Sequence, residues 1–323
     1  MINLFVRQAA GLRRLDPAPS TLPDDCIWVD LIEPSAEEER LIEQALGIDV
    51  PTREEMKEIE ASSRLYEEHG ALFMTATVAT KLDTDLPEST QVTFILAKNR
   101  LVTNRYVDPL PFRRFIAYAE RHPTSCTSAP ILLAGLIESV INRIADVLER
   151  VGGDLDTLSA EIFAPPRKRR AGARDFRLVL DRIGQSGDLT SKARESLVSI
   201  GRVVAFVQQS VLIPLEKETK ERFRSLSRDV LALSDHSSFL GNKVTFLLEA
   251  TLGMINIDQN NIIKIFSVVT VFLLPPSVIV GWFGMNFPHL PWLSTPHGPL
   301  IALGLMLLSA MIPFAIFKRL RWL

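Results

Sequence analysis

The sequence predicts an α+β membrane protein: an N-terminal cytoplasmic α/β domain, a long helix, and two transmembrane helices at the C-terminus. Three observations predict it. Charge is segregated, because 23% of the 323 residues are charged, yet from Ile262 onward only Lys264, Lys318, Arg319 and Arg321 are. Two late stretches, Ile262–Phe283 and Pro299–Phe317, each have about the ~20 apolar residues needed to cross a hydrocarbon core as helix. Finally, no proline falls between Pro214 and Pro275. One helix can therefore run from about Lys217 into the first apolar stretch, roughly 65 residues or ~100 Å.

The first 127 residues mix strand and helix patterns. Cys26–Leu31 ("CIWVDL") reads as a strand. Ser35 with Glu38, and Thr52 with Glu55, each have the spacing of a capping box and predict two helix starts. "GALFMTATVATKL" and "TQVTFILAKNRLVTNRY" are rich in β-branched residues, with Lys98-Asn99 as a hairpin turn. A small sheet with helices packed on it is expected.

From residue 128 to 261 helical periodicity dominates, with Ile131, Leu132, Leu136, Ile137, Val140, Ile141, Ile144 and Val147 at three- and four-residue steps. "APPRKRRAGARD" (Ala164–Asp175) interrupts it and predicts the turn of a helical hairpin. Its Arg167, Lys168, Arg169 and Arg170 read as a solvated tip. They are not read as a nucleic-acid surface, because no aromatics interleave with them and the chain's net charge is −2.

Residues 262–283 then form the first span, 284–298 the outer loop, 299–317 the second span, and 318–323 a basic tail. "MINLFVRQAAGLRRLD" has no apolar core followed by a cleavage site, so the N-terminal part is expected to stay on the side of synthesis. The loop between the spans has no basic residue, whereas Lys318, Arg319 and Arg321 follow the second span. The positive-inside rule thus places both termini in the cytoplasm of a plasma or bacterial inner membrane. Cys26 and Cys126 match no metal or disulfide spacing, and His69, His122 and His236 are isolated. No phosphate-binding glycine loop or catalytic constellation stands out, so the reading is not an enzyme and needs no cofactor.

Written in sevens, the long helix carries Glu249, Asn256, Ile263, Thr270, Ser277 and Gly284 on one row and Gly253, Asn260, Ser267, Leu274 and Gly281 on the next. Together these rows form one small, polar face. Ile262, Ile265, Val268, Val269, Val271, Phe272, Val278, Ile279 and Trp282 occupy the opposite side. Such a helix bundles with copies of itself or with other helices. Small residues alone suit close helix packing; polar groups at both ends of the stripe suit ions losing and regaining water.

Gly284-Met285-Asn286, the preceding "NIDQNNIIKIFSVVTVFLLPPSVIVGWF", the closing "FKRLRWL" and "EASSRLYEEHG" (Glu60–Gly70) resemble the CorA family of divalent-cation channels. The resemblance covers nearly the whole chain. It implies a homopentameric funnel whose central pore is lined by the first span of each subunit, with the lipid bilayer and divalent cations as the other partners and no nucleic acid. By matching position it implies that Gly284, Met285 and Asn286 form the selectivity filter at the outer mouth. Glu249, Asn260, Ile263, Thr270, Leu274, Ser277 and Gly281 fall on the pore side, with Asn256 and Ser267 joining them from the stripe. Phe266 matches a bulky apolar gate. Asp229, Asp83 or Asp85 are the candidates for carboxylates that bridge subunits through a regulatory ion.

One feature departs from the family pattern. Many magnesium-transporting relatives have an acidic loop after Gly-Met-Asn, whereas this chain has "FPHLPWLSTPHG", with His289 and His297 as weak metal-ligand candidates. The zinc-transporting, ZntB-like branch also lacks that acidic loop. The expectation is broad divalent permeation, Mg2+ ahead of Zn2+, with Co2+ and Ni2+ also possible cargo. The alternatives are a ZntB-type zinc transporter and a non-conducting membrane cation sensor or scaffold.

Overall fold

The computed structural model describes residues 1–9, 11–16, 21–84, 86–164, 175–285 and 297–319. It divides into two compact units, Met1–Glu249 and Ala250–Leu323.

The first unit is built on a seven-stranded sheet. Its strands are β1 (Ile2–Gln8), β2 (Gly11–Leu15), β3 (Cys26–Ile32), β4 (Leu65–Glu68), β5 (Ala71–Thr80), β6 (Glu88–Ala97) and β7 (Arg100–Arg105), in the order β2-β1-β3-β7-β6-β5-β4. All neighbours are antiparallel except β3 and β7, which pair parallel from Trp28↔Leu101 to Ile32↔Arg105. The β6–β7 hairpin turns at Lys98 and Asn99, whose φ values of 47° and 62° are those of a two-residue turn matched to strand twist. This is the turn the sequence predicts. β5 is buried along all ten residues, which explains why it reads as a nearly unbroken apolar and threonine run without alternation.

Helix α1 (Ala36–Leu46) starts on the predicted capping box: Glu38 N–H donates to Ser35 Oγ at 3.3 Å, and Ser35 N–H donates to Glu38 Oε2 at 2.9 Å. Its Ile42 and Leu46 join Leu4, Val29, Leu31, Phe73, Ile95 and Val102 in one apolar cluster on the sheet. The second predicted start is a correction. Thr52 and Glu55 do exchange hydrogen bonds, but only a single 3₁₀ turn, Glu55–Lys57, follows. Met56 is the buried residue of that turn, so no apolar stripe exists to hold a longer helix against the sheet. A four-residue helix α2 (Ala61–Arg64) precedes β4.

The helical layer comprises α3 (Leu110–Ala119), α4 (Ala129–Ile162), α5 (Phe176–Gln209) and the first part of α6 (Lys217–Phe283). Ser199 and Ser196 of α5 accept the backbone N–H groups of Thr77 and Ala79 at 2.8 and 3.4 Å, joining that helix to β5. α6 buries Phe223, Leu226, Val230, Leu240 and Leu247 at helical spacing. Val230 and Val244 of this helix approach Gly201 and Gly187 of α5, and Leu240 approaches Gly152 of α4. The helices α4 and α5 flank the segment Ala164–Asp175 where the sequence predicts a turn; its residues 165–174, with the basic cluster, lie outside the described residues.

In the core of the sheet, Arg105 and Asp30, 1% and 0% exposed, meet through Nη2–Oδ2 and Nε–Oδ1 contacts of 2.8 and 2.9 Å. Thr103 donates to the same carboxylate at 2.7 Å and accepts the Trp28 indole N–H at 3.0 Å. Satisfying these groups mutually is what allows a charge pair inside the sheet. Cys26 is buried in the apolar cluster that holds α1, and burial pushes its thiol up to about 11, so it is an unreactive packing residue.

The second unit contains the C-terminal part of α6 and the helix α7 (Gly298–Arg319). Both helices are long and apolar enough to cross a membrane.

Candidate ion pathway

Within the second unit α7 covers one side of the α6 segment. Val268, Phe272, Pro275, Pro276, Ile279 and Phe283 are half-buried there, and Phe272 meets Phe314 of α7 edge-on, ring centroids 5.9 Å apart. At about 100° per residue these six positions form one face. Asn256, Asn260, Ile263, Phe266, Ser267, Thr270, Leu274, Ser277 and Gly281 are all exposed and lie on the other side of the helix. The apolar side predicted from the sequence is therefore divided: Val268, Phe272 and Ile279 are half-buried, Phe272 against Phe314 of α7, whereas Ile262, Ile265, Val269, Val271, Val278 and Trp282 stay exposed. Sequence periodicity distinguishes apolar from polar but cannot say which apolar residues touch the neighbouring helix.

Two of the stripe's three hydroxyls, those of Thr270 and Ser277, have a defined orientation. Thr270 Oγ1 donates to Phe266 C=O at 2.8 Å, and Ser277 Oγ donates to Leu273 C=O at 2.6 Å. Each hydroxyl proton is thus used within the helix, and what the oxygen offers outward is lone pairs. A surface of acceptors suits the water shell of a cation, which presents hydrogens. At the end of α6, Gly284 N–H donates to Val280 C=O at 2.9 Å and Met285 N–H to Trp282 C=O at 3.4 Å, closing the helix just before Asn286. Asn286 itself, like His289 and Asp85, lies outside the described residues.

Other candidate residues lie elsewhere. Glu249 is an exposed residue at the end of the first unit. His297 is exposed, and its carbonyl accepts the Ile301 N–H at 3.1 Å at the start of α7. Asp229 is exposed on α6. Asp83, between β5 and β6, is held by Arg143 at 2.5 Å and Arg150 at 2.8 Å, two turns apart on α4. Those guanidinium groups hold its carboxyl below the ordinary aspartate value, the Arg143 hydrogen bond first and the Arg150 bond second. A metal ion would have to displace two arginines to reach it. No group of three or more His, Cys, Asp or Glu side chains converges among the described residues.

The described residues thus comprise a sheet-bearing unit and, on the C-terminal part of α6 and on α7, two helices apolar enough to cross a membrane, with a polar stripe on the first of them. A family model described as "CorA-like Mg2+ transporter protein" matches residues 23–319. The chain is 35% identical over 324 residues to the magnesium transport protein CorA of Pasteurella multocida, and 32% identical over 323 residues to that of Salmonella typhimurium, covering 100% of both chains in each case. The complete structure of the CorA magnesium transporter from Methanocaldococcus jannaschii superposes with a TM-score of 0.78 at 22% identity, over 100% of this chain and 99% of that one. The cytoplasmic domain of ZntB from Vibrio parahaemolyticus superposes with a TM-score of 0.56 at 10% identity, over 80% of this chain and 98% of that one. At such identities both likenesses bear on the fold alone. The chain belongs to the CorA family, whose members are transporters and not enzymes.

Proposed function

We propose that this chain is a channel for hydrated Mg2+ in the bacterial inner membrane, working as a homopentamer with both termini in the cytoplasm. The observation that carries this reading is the exposed stripe from Asn256 to Gly281, opposite the face that α7 covers. A membrane helix that leaves Asn, Ser and Thr uncovered needs polar company, and a ring of copies around a water-filled axis supplies it. Mg2+ loses its water reluctantly and is served by oxygen acceptors, which the stripe provides. Two relatives that match over their full length are magnesium transport proteins.

In this reading residues 262–283 and 299–317 cross the bilayer around a loop at 284–298, while 1–127 and 128–261 stay in the cytoplasm with the tail at 318–323. Gly284 and Met285 shape the turn that presents Asn286 as the filter. Phe266 is the apolar gate, and Asn260 and Glu249 line the inner approach. Asp229, exposed and clamped by no arginine among the described residues, is a better regulatory ligand than Asp83. Zn2+, Co2+ and Ni2+ pass less readily than Mg2+. The imidazole nitrogens of His289 and His297 gather zinc at the mouth.

The test is purified protein in liposomes containing magnesium- and zinc-sensitive dyes, with and without a pH gradient. Magnesium influx ahead of zinc, unchanged by the gradient, is the expected result. Zinc influx with magnesium excluded moves the chain to a ZntB-type role. Absence of any flux from a folded preparation makes it a sensor or scaffold.

A further inference from the structure

In the first unit a cavity of about 430 Å³ opens between α3, α4 and α6. Its lining brings together Arg114 of α3, Arg143 of α4 and Arg222 of α6, against one carboxylate, Glu138. Arg222 sends both Nε and Nη2 to the same Glu138 oxygen, at 3.2 and 2.5 Å, leaving Nη1 uncommitted. Arg143 is only 12% exposed, and among the described residues it donates through Nη2 alone, to Asp83. Its Nε and Nη1 therefore remain as donors on a largely buried cation. Arg114 has its nearest carboxylate, Asp146, at 3.7 Å, beyond hydrogen-bond reach. The floor is closed by Phe115, whose ring lies where a methyl at Gly135 would be. Tyr118 stands at the rim with its ring backed by His122, centroids 3.9 Å apart.

We propose that this cavity binds a small anion carrying a phosphate group, its oxygens shared among Arg114, Arg143 and Arg222. Guanidinium forks match carboxylate and phosphate alike. A carboxylate has two oxygens and one charge, which a single fork satisfies; three guanidinium groups from three helices, each with donors left over, suit a tetrahedral group with three terminal oxygens and more than one charge. The phosphate comes either from an inorganic anion or from a nucleotide, whose base would lie on Tyr118. Such a ligand ties α6 to α3 and α4. Because α6 continues into the stripe, occupancy would regulate the pore; that consequence rests on the function proposed above, whereas the binding does not.

The experiment is calorimetric titration of the full chain in lipid nanodiscs, free of divalent cations, with inorganic pyrophosphate and separately with ATP. Arg114→Gln and Arg222→Gln are compared with Arg113→Gln, an exposed neighbour on α3 that pairs with Asp108 and lines a different cavity. Binding weakened by about tenfold or more in the first two variants and unchanged in the third is expected, as for loss of a charge-assisted hydrogen bond. Melting temperatures verify folding, and the exposed Arg114 keeps the test valid if Arg222→Gln does not fold. Equal affinity for both anions identifies the phosphate as the whole ligand. Tighter ATP binding that Tyr118→Leu abolishes adds the base. The proposal is overturned if neither anion binds, or if Arg113→Gln weakens binding as much as Arg114→Gln. Cation flux is not read, so the result stands apart from the identity of the transported ion.

Discussion

Phe272 of α6 meets Phe314 of α7 with ring planes at 68° and centroids 5.9 Å apart. Because this contact holds one side of α6 against α7, the side carrying Ser267, Thr270 and Ser277 is left uncovered. Edge-to-face aromatic pairs add about 1 kcal/mol beyond their buried area. Phe314→Ala should therefore lower the melting temperature in detergent, while Ser267→Ala, on the uncovered side, should leave it unchanged.

Asn286→Ala should abolish selective Mg2+ uptake into liposomes with assembly intact, because the filter reading gives the amide a role in hydration and none in packing. Asn260→Leu should block passage by placing apolar groups where hydrated ions arrive. Wild-type flux in either variant removes that residue from the pathway.

Phe266 is 68% exposed on α6. If five such rings close the pore by excluding water, Phe266→Ala should raise the basal leak of proteoliposomes at equal protein density. A variant no leakier than the parent places the gate elsewhere.

The Asp83 carboxyl sits below its ordinary value because Arg143 and Arg150 favour the charged form. A folded-state value below the unfolded one means that the stabilisation is fully present above the unfolded value, about pH 3.9, and is lost as pH falls through the folded one. Asp83→Asn should lower the melting temperature at pH 7. The gap from wild type should persist at pH 5 and shrink below about pH 4. A gap independent of pH would mean that packing, not charge, accounts for the loss.

Asp30 is fully buried against Arg105. Removing one partner of such a pair leaves an uncompensated charge and costs about 3–5 kcal/mol. Asp30→Ala should therefore unfold the first unit at much lower urea than wild type, measured by Trp28 fluorescence.

Several elements were legible in the sequence because their signals are local. The Ser35–Glu38 box, the Lys98-Asn99 turn, the helix from Lys217 and the apolar stretches before Phe283 and after Gly298 each depend on residues a few positions apart. β1 and β2 went unread: Ile2–Gln8 and Gly11–Leu15 are short, and they are strands because they pair with each other and with β3. The Thr52 box misled because a cap starts a helix but only burial of a stripe extends it. The arginine cavity has no sequence signal, since Arg114, Arg143 and Arg222 belong to three helices and match no motif.

The sequence by itself determined that two apolar helices end this chain, that a polar stripe runs along the first, and that a sheet and a helical layer precede them. Periodicity and charge encode those features residue by residue. Only the tertiary structure decided which side of α6 meets α7, that β3 runs parallel to β7, that Asp83 is clamped by two arginines, and that three guanidinium groups share one cavity. Each of these depends on which distant residues become neighbours. That is set by how buried surfaces fit together, a property of the whole packed unit and not of any short window of chain.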